Sequence, residues 1–509
     1  MDISTEERKL VVLFDENNVI PEVCRLFGET NTENNKLLEE LFSSIIIFMD
    51  NHKTAKICCH KDEIEKISVK ILDKIITYPE WGLQIVNEII SDSDKIIHSM
   101  EKRIKNIELQ NLSNKELWDT LEDFNTLSIK QFISGSIPML VDIYEPLLTN
   151  NLMDYLRNKT TCLTELNNAF SILTTPTKRT TLGEEEINFI KLANEILSST
   201  VRESLRRKVS VEEFKEQFPQ EHSKLKNHHD KYFWLPHDFL GELWDLEYFY
   251  TKLSDLSNNK IEIKEILKEV VEKPVKINCL QKEFISKYQI DELHQKLFAI
   301  ARGFMYTKSY RKERFTHSFY YLYKLYHEIA RRYGYSLNQV RWMLHEERKN
   351  ILLNNIIIEK DILDQRENGC VLLCKGGKTS INFDLEYFNR KICSSKINKE
   401  ASKINGNCAS RGIARGTVKK IFTTQDMTKM KQGDILIAPN TNPDIVMAMK
   451  IAGAIVTNQG GITCHAAIVS REFGIPCVVG TKVATEVLND NDLVEVDADH
   501  GVIRIIKKS

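Results

Sequence analysis

Between Thr457 and Gly480 the chain reads TNQGGITCHAAIVSREFGIPCVVG, and this string leaves few options for its local fold. The apolar run Ala454 to Thr457 reads as a buried strand. Gly460 and Gly461 then let the backbone turn sharply and let a bulky group approach closely. An Ala-rich helix follows from about Thr463 to Phe473. His465 therefore falls in the first helical turn. There the free backbone N–H groups and the positive dipole end favour a negative charge. The same field lowers the imidazole pKa and keeps a ring nitrogen unprotonated near neutral pH. A phosphoryl group on that nitrogen would be stabilised by the helix end, with Thr463 placed to orient ring or phosphate. A lone histidine near a helix start ordinarily caps or packs.

The same region alternates strand and helix signals. Gly412 to Phe422 and Asp434 to Ala438 read as strands. A short helix opens at Pro443-Asp444 and runs to Lys450. Cys477 to Val479 is another strand, and LVEVDADHGVIRII is a hairpin turning at Asp499-His500-Gly501. This pattern predicts a small α/β domain over 408–509. Glycine supports the division: the chain has 20 in 509 residues, about half of them after residue 400. The polar stretch 394–407 (SSKINKEASKINGN) reads as a flexible linker.

Residues 1–393 read as mainly helical, in one or two subdomains. Lys61 to Ile76, Glu185 to Leu205 and Ile261 to Val271 each place apolar residues three and four apart. Ser210 is placed to cap a short helix that Pro219 ends. Thr307 to Lys349 is a helical block broken near Gly334 and restarted at Ser336. Asp230 to Tyr250 is strongly aromatic and bends at Pro236. The one β signal is a short segment near 369–384. Its Gly376-Gly377-Lys378-Thr379 looks like the tail of a phosphate-binding loop, but Leu372 stands where the required glycine would be, so it reads as a hairpin turn.

A net charge of −2 argues against nucleic-acid binding through phosphates, and no apolar run approaches the length of a membrane span. The start is too acidic for a signal peptide. The 11 cysteines, irregularly spaced, read as reduced thiols of a cytoplasmic protein. Adjacent His228 and His229 point apart on a helix, so they and nearby His237 make a poor metal set.

The string around His465 resembles, almost residue for residue, the mobile domain of the phosphoenolpyruvate-utilising enzymes. The resemblance rests on Gly460, Gly461, Thr463, Cys464, His465, Ala466, Ala467, Arg471, Glu472, Gly474, Ile475 and Pro476, and extends to SRGIARGTV and PNTNPDIVMAMKIAGAIVT upstream. It implies a multidomain chain: a mostly α N-terminal region plus a C-terminal swivelling β/β/α phosphohistidine domain. It makes His465 the phosphoryl carrier, with Thr463 in the catalytic role beside it and Gly460, Gly461, Cys464 and Arg471 supporting the phosphate. The order of the pieces is similar to the helical and His domains of rifampin phosphotransferase. The likeness includes Arg311 to Leu353, where "YGYSLNQVRWML" resembles the helical domain.

Neither a phosphoenolpyruvate-binding barrel nor an ATP-grasp module is recognisable. The resemblance therefore implies a phosphotransferase component loaded by a separate ATP-grasp chain, with the β-phosphate of ATP going to His465 and a small-molecule acceptor held by the helical region. Mg²⁺ and ATP are the expected cofactors, with no metal ligands assigned. Arg302, Arg311, Arg314 and Arg341 are candidates to steady the acceptor or phosphate, against the plainer reading of solvated helix faces. The alternatives are a phosphocarrier in a protein relay and a non-catalytic binding protein that keeps the domain as a scaffold.

Overall fold

A computed structural model describes all residues except 1–9, 18–19, 39, 51–53, 238–242, 258–262, 387–401, 423, 442–444 and 462–463. The N-terminal region is mostly helical, as expected, but it also contains a full sheet. Strands β1 (Leu10–Asn17), β2 (Ile45–Asp50) and β3 (Thr54–His60) join β4 (Gly369–Lys375) and β5 (Lys378–Asn382) in the antiparallel order β1-β3-β2-β4-β5. Only the β4–β5 hairpin was legible in the sequence. IIIFMD and TAKICCH are short apolar runs, for which periodicity does not separate strand from buried helix. Gly376 and Gly377, at φ 53° and 66°, make the β4–β5 turn, so this segment is a hairpin and no phosphate loop.

The helical body is organised by one 42-residue helix, Glu292–Tyr333, roughly 60 Å long. Asp291 starts it by accepting from the His294 N–H, and Gly334 ends it at φ 71°. Phe315 and Phe319 on this helix pack with Phe124 and Phe132 of the helix Asn114–Gly135. Such aromatic contacts contribute about 0.5–1.5 kcal/mol each beyond burial. Ser336 restarts the chain with a capping box, and Ser210 forms another with Glu213. Phe189, Phe214, Leu225 and Phe249 form a separate apolar core. Beside it, Glu185 pairs with Lys252 (2.9 Å) and hydrogen-bonds His228 Nε2 (3.0 Å), so His228 serves an internal contact.

A second sheet has the order β6-β13-β12-β8-β9-β10-β11-β7. Its strands are β6 (Lys403–Asn405), β7 (Asn407–Ser410), β8 (Ile413–Lys420), β9 (Ile435–Ala438), β10 (Ala454–Thr457), β11 (Cys477–Val479), β12 (Leu493–Asp497) and β13 (Val502–Lys507). The segment β8 to β11 is parallel and its other pairs antiparallel. Helices Val446–Ile451 and His465–Phe473 make the crossovers on either side of β10. Every residue of β9 and β10 is buried, as expected for parallel strands covered on both faces. The expected α/β alternation is thus present. The linker reading needs correction: 394–401 lie outside the described residues, whereas Ile404 in β6 pairs with Ile503, so the sheet begins before residue 408.

The N-terminal body is also tied by buried charge. Glu22 lies 2.6 Å from Arg25 and 2.8 Å from Arg348, all three almost fully buried. Arg25 also bonds Glu29 and Asn125. Burial alone would raise the Glu22 carboxyl, but the two guanidiniums hold it well below the usual carboxylate range. Its stabilisation is present above the unfolded carboxyl pKa near ~4.3 and is lost as pH falls toward the lowered folded value. Glu22→Leu should leave Arg348 as a buried, unpaired cation and cost about 3–5 kcal/mol, read as a lower urea midpoint. A loss below about 1 kcal/mol would contradict this account.

Candidate functional site

β10 delivers the chain into the turn Asn458 to Gly461 and the helix His465–Phe473. Gly460 has φ 101°, and a Cβ there would lie 2.7 Å from Cys464 Sγ, so both backbone angle and space require glycine. Cys464 takes the extended N-cap position, His465 is the first helical residue, and Gly474 ends the helix at φ 68°. The predicted placement of His465 at the positive helix end is therefore observed. Thr463 falls outside the described residues.

The His465 ring is held from a direction the sequence did not announce. Its Nδ1 lies 2.9 Å from Thr441 Oγ1, in the loop after β9. The ring is partly buried against the helical body. Burial first, and the Lys312 charge second, push its pKa down to about 4. The imidazole is thus neutral at physiological pH. Desolvation is the larger cause and the lysine the smaller.

Lys312 lies one helical turn after Lys308 on the long helix, a spacing that puts both on one face. The Lys308 charge acts on both Cys464 and Asp142. Burial lowers the Lys308 pKa, while Asp142 works in the other direction. Asp142 accepts from the Leu148 N–H (2.9 Å) and the Thr149 hydroxyl (2.9 Å) at the start of the helix Leu147–Arg157. The glycine turn meets this same helix start. A Cβ on Gly461 would sit 3.7 Å from Pro146 Cβ and 3.8 Å from Thr149 Oγ1. One continuous apolar cluster includes Leu148 and Phe304 of the helical body and Ala466 and Ala467 beside His465. The histidine tip is therefore docked on the helical body, with the Lys312 charge acting on the ring and the Lys308 charge on Cys464 beside it.

The structure brings His465, Gly460, Gly461 and Cys464 together. Arg471 stands at the far end of the helix, where its Nε donates to Ala409 O (2.7 Å) and ties the helix to β7. The four arginines proposed for the acceptor do not converge. Arg302 donates to Leu173 O, Arg314 pairs with Asp94, and Arg341 donates to Asn338. Arg311 packs against Gly135 and Phe132 and is the only one of the four whose charge acts on Lys308. Arg302, Arg311 and Arg314 lie on the long helix and are each tied to their own neighbours, whereas Arg341 ends the separate short helix Leu337–Arg341. Lys308, Lys312, Thr441 and Asp142 are the functional candidates missed. Only the four-residue lysine spacing offered a signal. No group of three or more His, Cys, Asp or Glu side chains among the described residues could hold a metal ion. No described helix is long and apolar enough to cross a membrane.

This geometry makes a prediction about the ring. In an NMR titration His465 should take up its proton with a midpoint near 4, and Lys312→Gln should raise that midpoint. Thr441→Val should redistribute the two neutral tautomers, visible in the ring nitrogen shifts. A midpoint near the ordinary histidine value of ~6.5 would contradict the buried, lysine-facing ring.

Residues 430–501 match the family described as PEP-utilising enzyme, mobile domain. A probable phosphoenolpyruvate synthase of Archaeoglobus fulgidus is 51% identical over 125 residues, 23% of this chain and 17% of that protein. The phosphoenolpyruvate synthase of Pyrococcus furiosus is 55% identical over 100 residues, 20% of this chain and 12% of that protein. An uncharacterized phosphotransferase of Bacillus subtilis is 43% identical over 106 residues, 21% of this chain and 13% of that protein. The chain thus spans less than a fifth of the length of these relatives. Within that span, the segment that carries His465 matches the mobile domain of the PEP-utilising enzymes.

Proposed function

We propose that this chain is a phosphotransferase component. His465 receives a phosphoryl group from ATP held by a separate ATP-grasp chain and passes it to a small-molecule acceptor at the helical body. The observation that carries this reading is a neutral imidazole at a helix N-terminus, docked so that the Lys312 charge falls on it and the Lys308 charge falls on its neighbour Cys464. Thr441 Oγ1 lies 2.9 Å from Nδ1; in the tautomer that donates Nδ1–H to it, Nε2 keeps its lone pair and is the nucleophile. A phosphoryl group there would bring about −2 of charge toward the two ammonium groups and the helix end.

Docking also implies a two-position cycle. The partly buried tip is shielded from a separate donor, so loading requires the domain to leave the helical body and transfer requires its return. The family resemblance calls for ATP on the loading chain and for Mg²⁺ at both the loading and the acceptor sites, where it would neutralise phosphate charge.

The test uses the chain and His465→Ala with Mg²⁺ and ATP labelled at the β position, with and without extract of its own organism. Acid-labile, base-stable label is expected on the wild type only, and only with extract. Absence of label from both, with a nucleotide-competent extract, would leave the non-catalytic reading. Once the chain is loaded, replacing Lys308 and Lys312 by Gln should slow release of the label to an acceptor by about tenfold or more, the scale of losing preorganised charge at a transfer site.

A further inference from the structure

The helices Thr181–Ile196, Ser199–Arg206, Val211–Gln217, Pro219–Tyr232 and Leu246–Ser257 surround an apolar core of their own, apart from that of the helical body. Two stretches of chain join this subdomain to the body. One is the non-helical stretch 175–180, which leads into Thr181–Ile196. The other is the helix Ile263–Lys287, which serves both sides: Ile263 and Val270 pack on the subdomain core, and Phe284 on the core of the body. Pro274 lies inside that helix, between the two halves. It has no N–H to give to Val270 O, four residues back. Arg179, from the first stretch, gives one in its place, Nη2 to O at 2.6 Å. The two crossings are therefore tied to each other where the helix lacks a bond of its own, which is where helices bend. Gln281 fixes the body side by donating to Ile172 O (2.9 Å) and Thr175 O (2.8 Å).

Beyond these crossings the subdomain meets the long helix Glu292–Tyr333 through side chains. Trp234 stacks on His317 with ring centres 3.8 Å apart, Phe233 meets Tyr320 edge-on at 5.1 Å, and His237 meets Tyr323 at 5.6 Å. Trp234 Nε1 donates to Lys231 O, so that ring is held by its own subdomain. The contact is incompletely satisfied. His317 is 8% exposed, and its buried Nδ1 has no hydrogen-bond partner among the described residues. An unpaired buried nitrogen disfavours the closed contact. Burial first, then the charges of Arg314, Lys105 and His237, push the His317 pKa down to about 3, so the stack gains nothing from a cation over Trp234. At the pivot, Glu313 accepts from the Thr181 N–H (2.7 Å) and the Leu182 N–H (3.3 Å) and keeps the start of the subdomain on the long helix.

We propose that this subdomain is a hinged lid, which pivots about Pro274 and the stretch 175–180 and on opening bares the long helix from His317 to Tyr323. The hinge is the pair of crossings joined by Arg179, and the latch is the aromatic contact with its unpaired nitrogen. The motion does not depend on what His465 carries. Its place does bear on that site: Glu313 follows Lys312, whose charge acts on His465. The lid thus governs access to the long helix beside the docked carrier domain.

The test labels the full chain with 5-fluorotryptophan and follows fluorine relaxation dispersion, with the Trp234 resonance assigned by its loss in Trp234→Phe. Trp234 should exchange between two states, whereas Trp118, in the core of the body, should not. Pro274→Ala restores the helix donor, and His317→Phe keeps a ring but removes the unpaired nitrogen. Each should lower the open population by about fivefold, the scale of one hydrogen bond. In parallel, diethyl pyrocarbonate should acylate His317 at a rate that falls by the same factor in Pro274→Ala. His228, packed in the subdomain's own core, should keep its rate. A Trp234 resonance without exchange, or exchange shared with Trp118, would overturn the lid. Exchange and His317 acylation both unchanged in folded Pro274→Ala would overturn the hinge.

Discussion

An imidazole at the positive end of a helix, buried against a body that sets the Lys312 charge on it, is held in its neutral form at physiological pH. This is the constraint on which the site depends. The ring must be neutral to act as a nucleophile, yet its surroundings must suit an anion. A helix N-terminus and facing ammonium groups meet both needs, since each disfavours imidazolium and favours phosphate. Burial contributes more than charge to the lowered pKa of His465, so the site depends on docking as well as on the helix itself.

Docking in turn needs a firm surface. The long helix Glu292–Tyr333 carries Lys308 and Lys312 and is braced by aromatic packing against Asn114–Gly135. The helix start at Leu147 is fixed by Asp142, which caps it while facing Lys308. On the other side, the parallel strands β9 to β11 hold the Thr441 loop and the His465 turn at adjacent strand ends. Ligands of parallel α/β sheets gather at such C-terminal strand edges. The His465 domain and the helical body thus share one apolar cluster, with the Lys308 and Lys312 charges reaching the docked tip.

The histidine, its glycine turn and the alternation of strand and helix after residue 408 were legible because they are local: period, turn chemistry and helix position all lie within a few residues of one another. Thr441 was not legible, although β9 and β10 pair in parallel and bring it beside His465, because strand pairing is not written in local periodicity. Lys308 was passed over in favour of arginines on the same helix, since residue type gave no hint of which face meets the docked domain. The N-terminal sheet was missed for a related reason. β2 pairs with β4 across most of the N-terminal region, and three of its strands show no alternation, because both faces of the sheet are covered.

The central claim is that His465 accepts a phosphoryl group on Nε2. The most direct measurement is the phosphorus NMR spectrum of the chain after treatment with phosphoramidate. The account predicts a phosphohistidine resonance of the Nε2 type that is present in the wild type and lost in His465→Ala. A spectrum unchanged in that variant, or an Nδ1-type resonance as the one that His465→Ala loses, would contradict it.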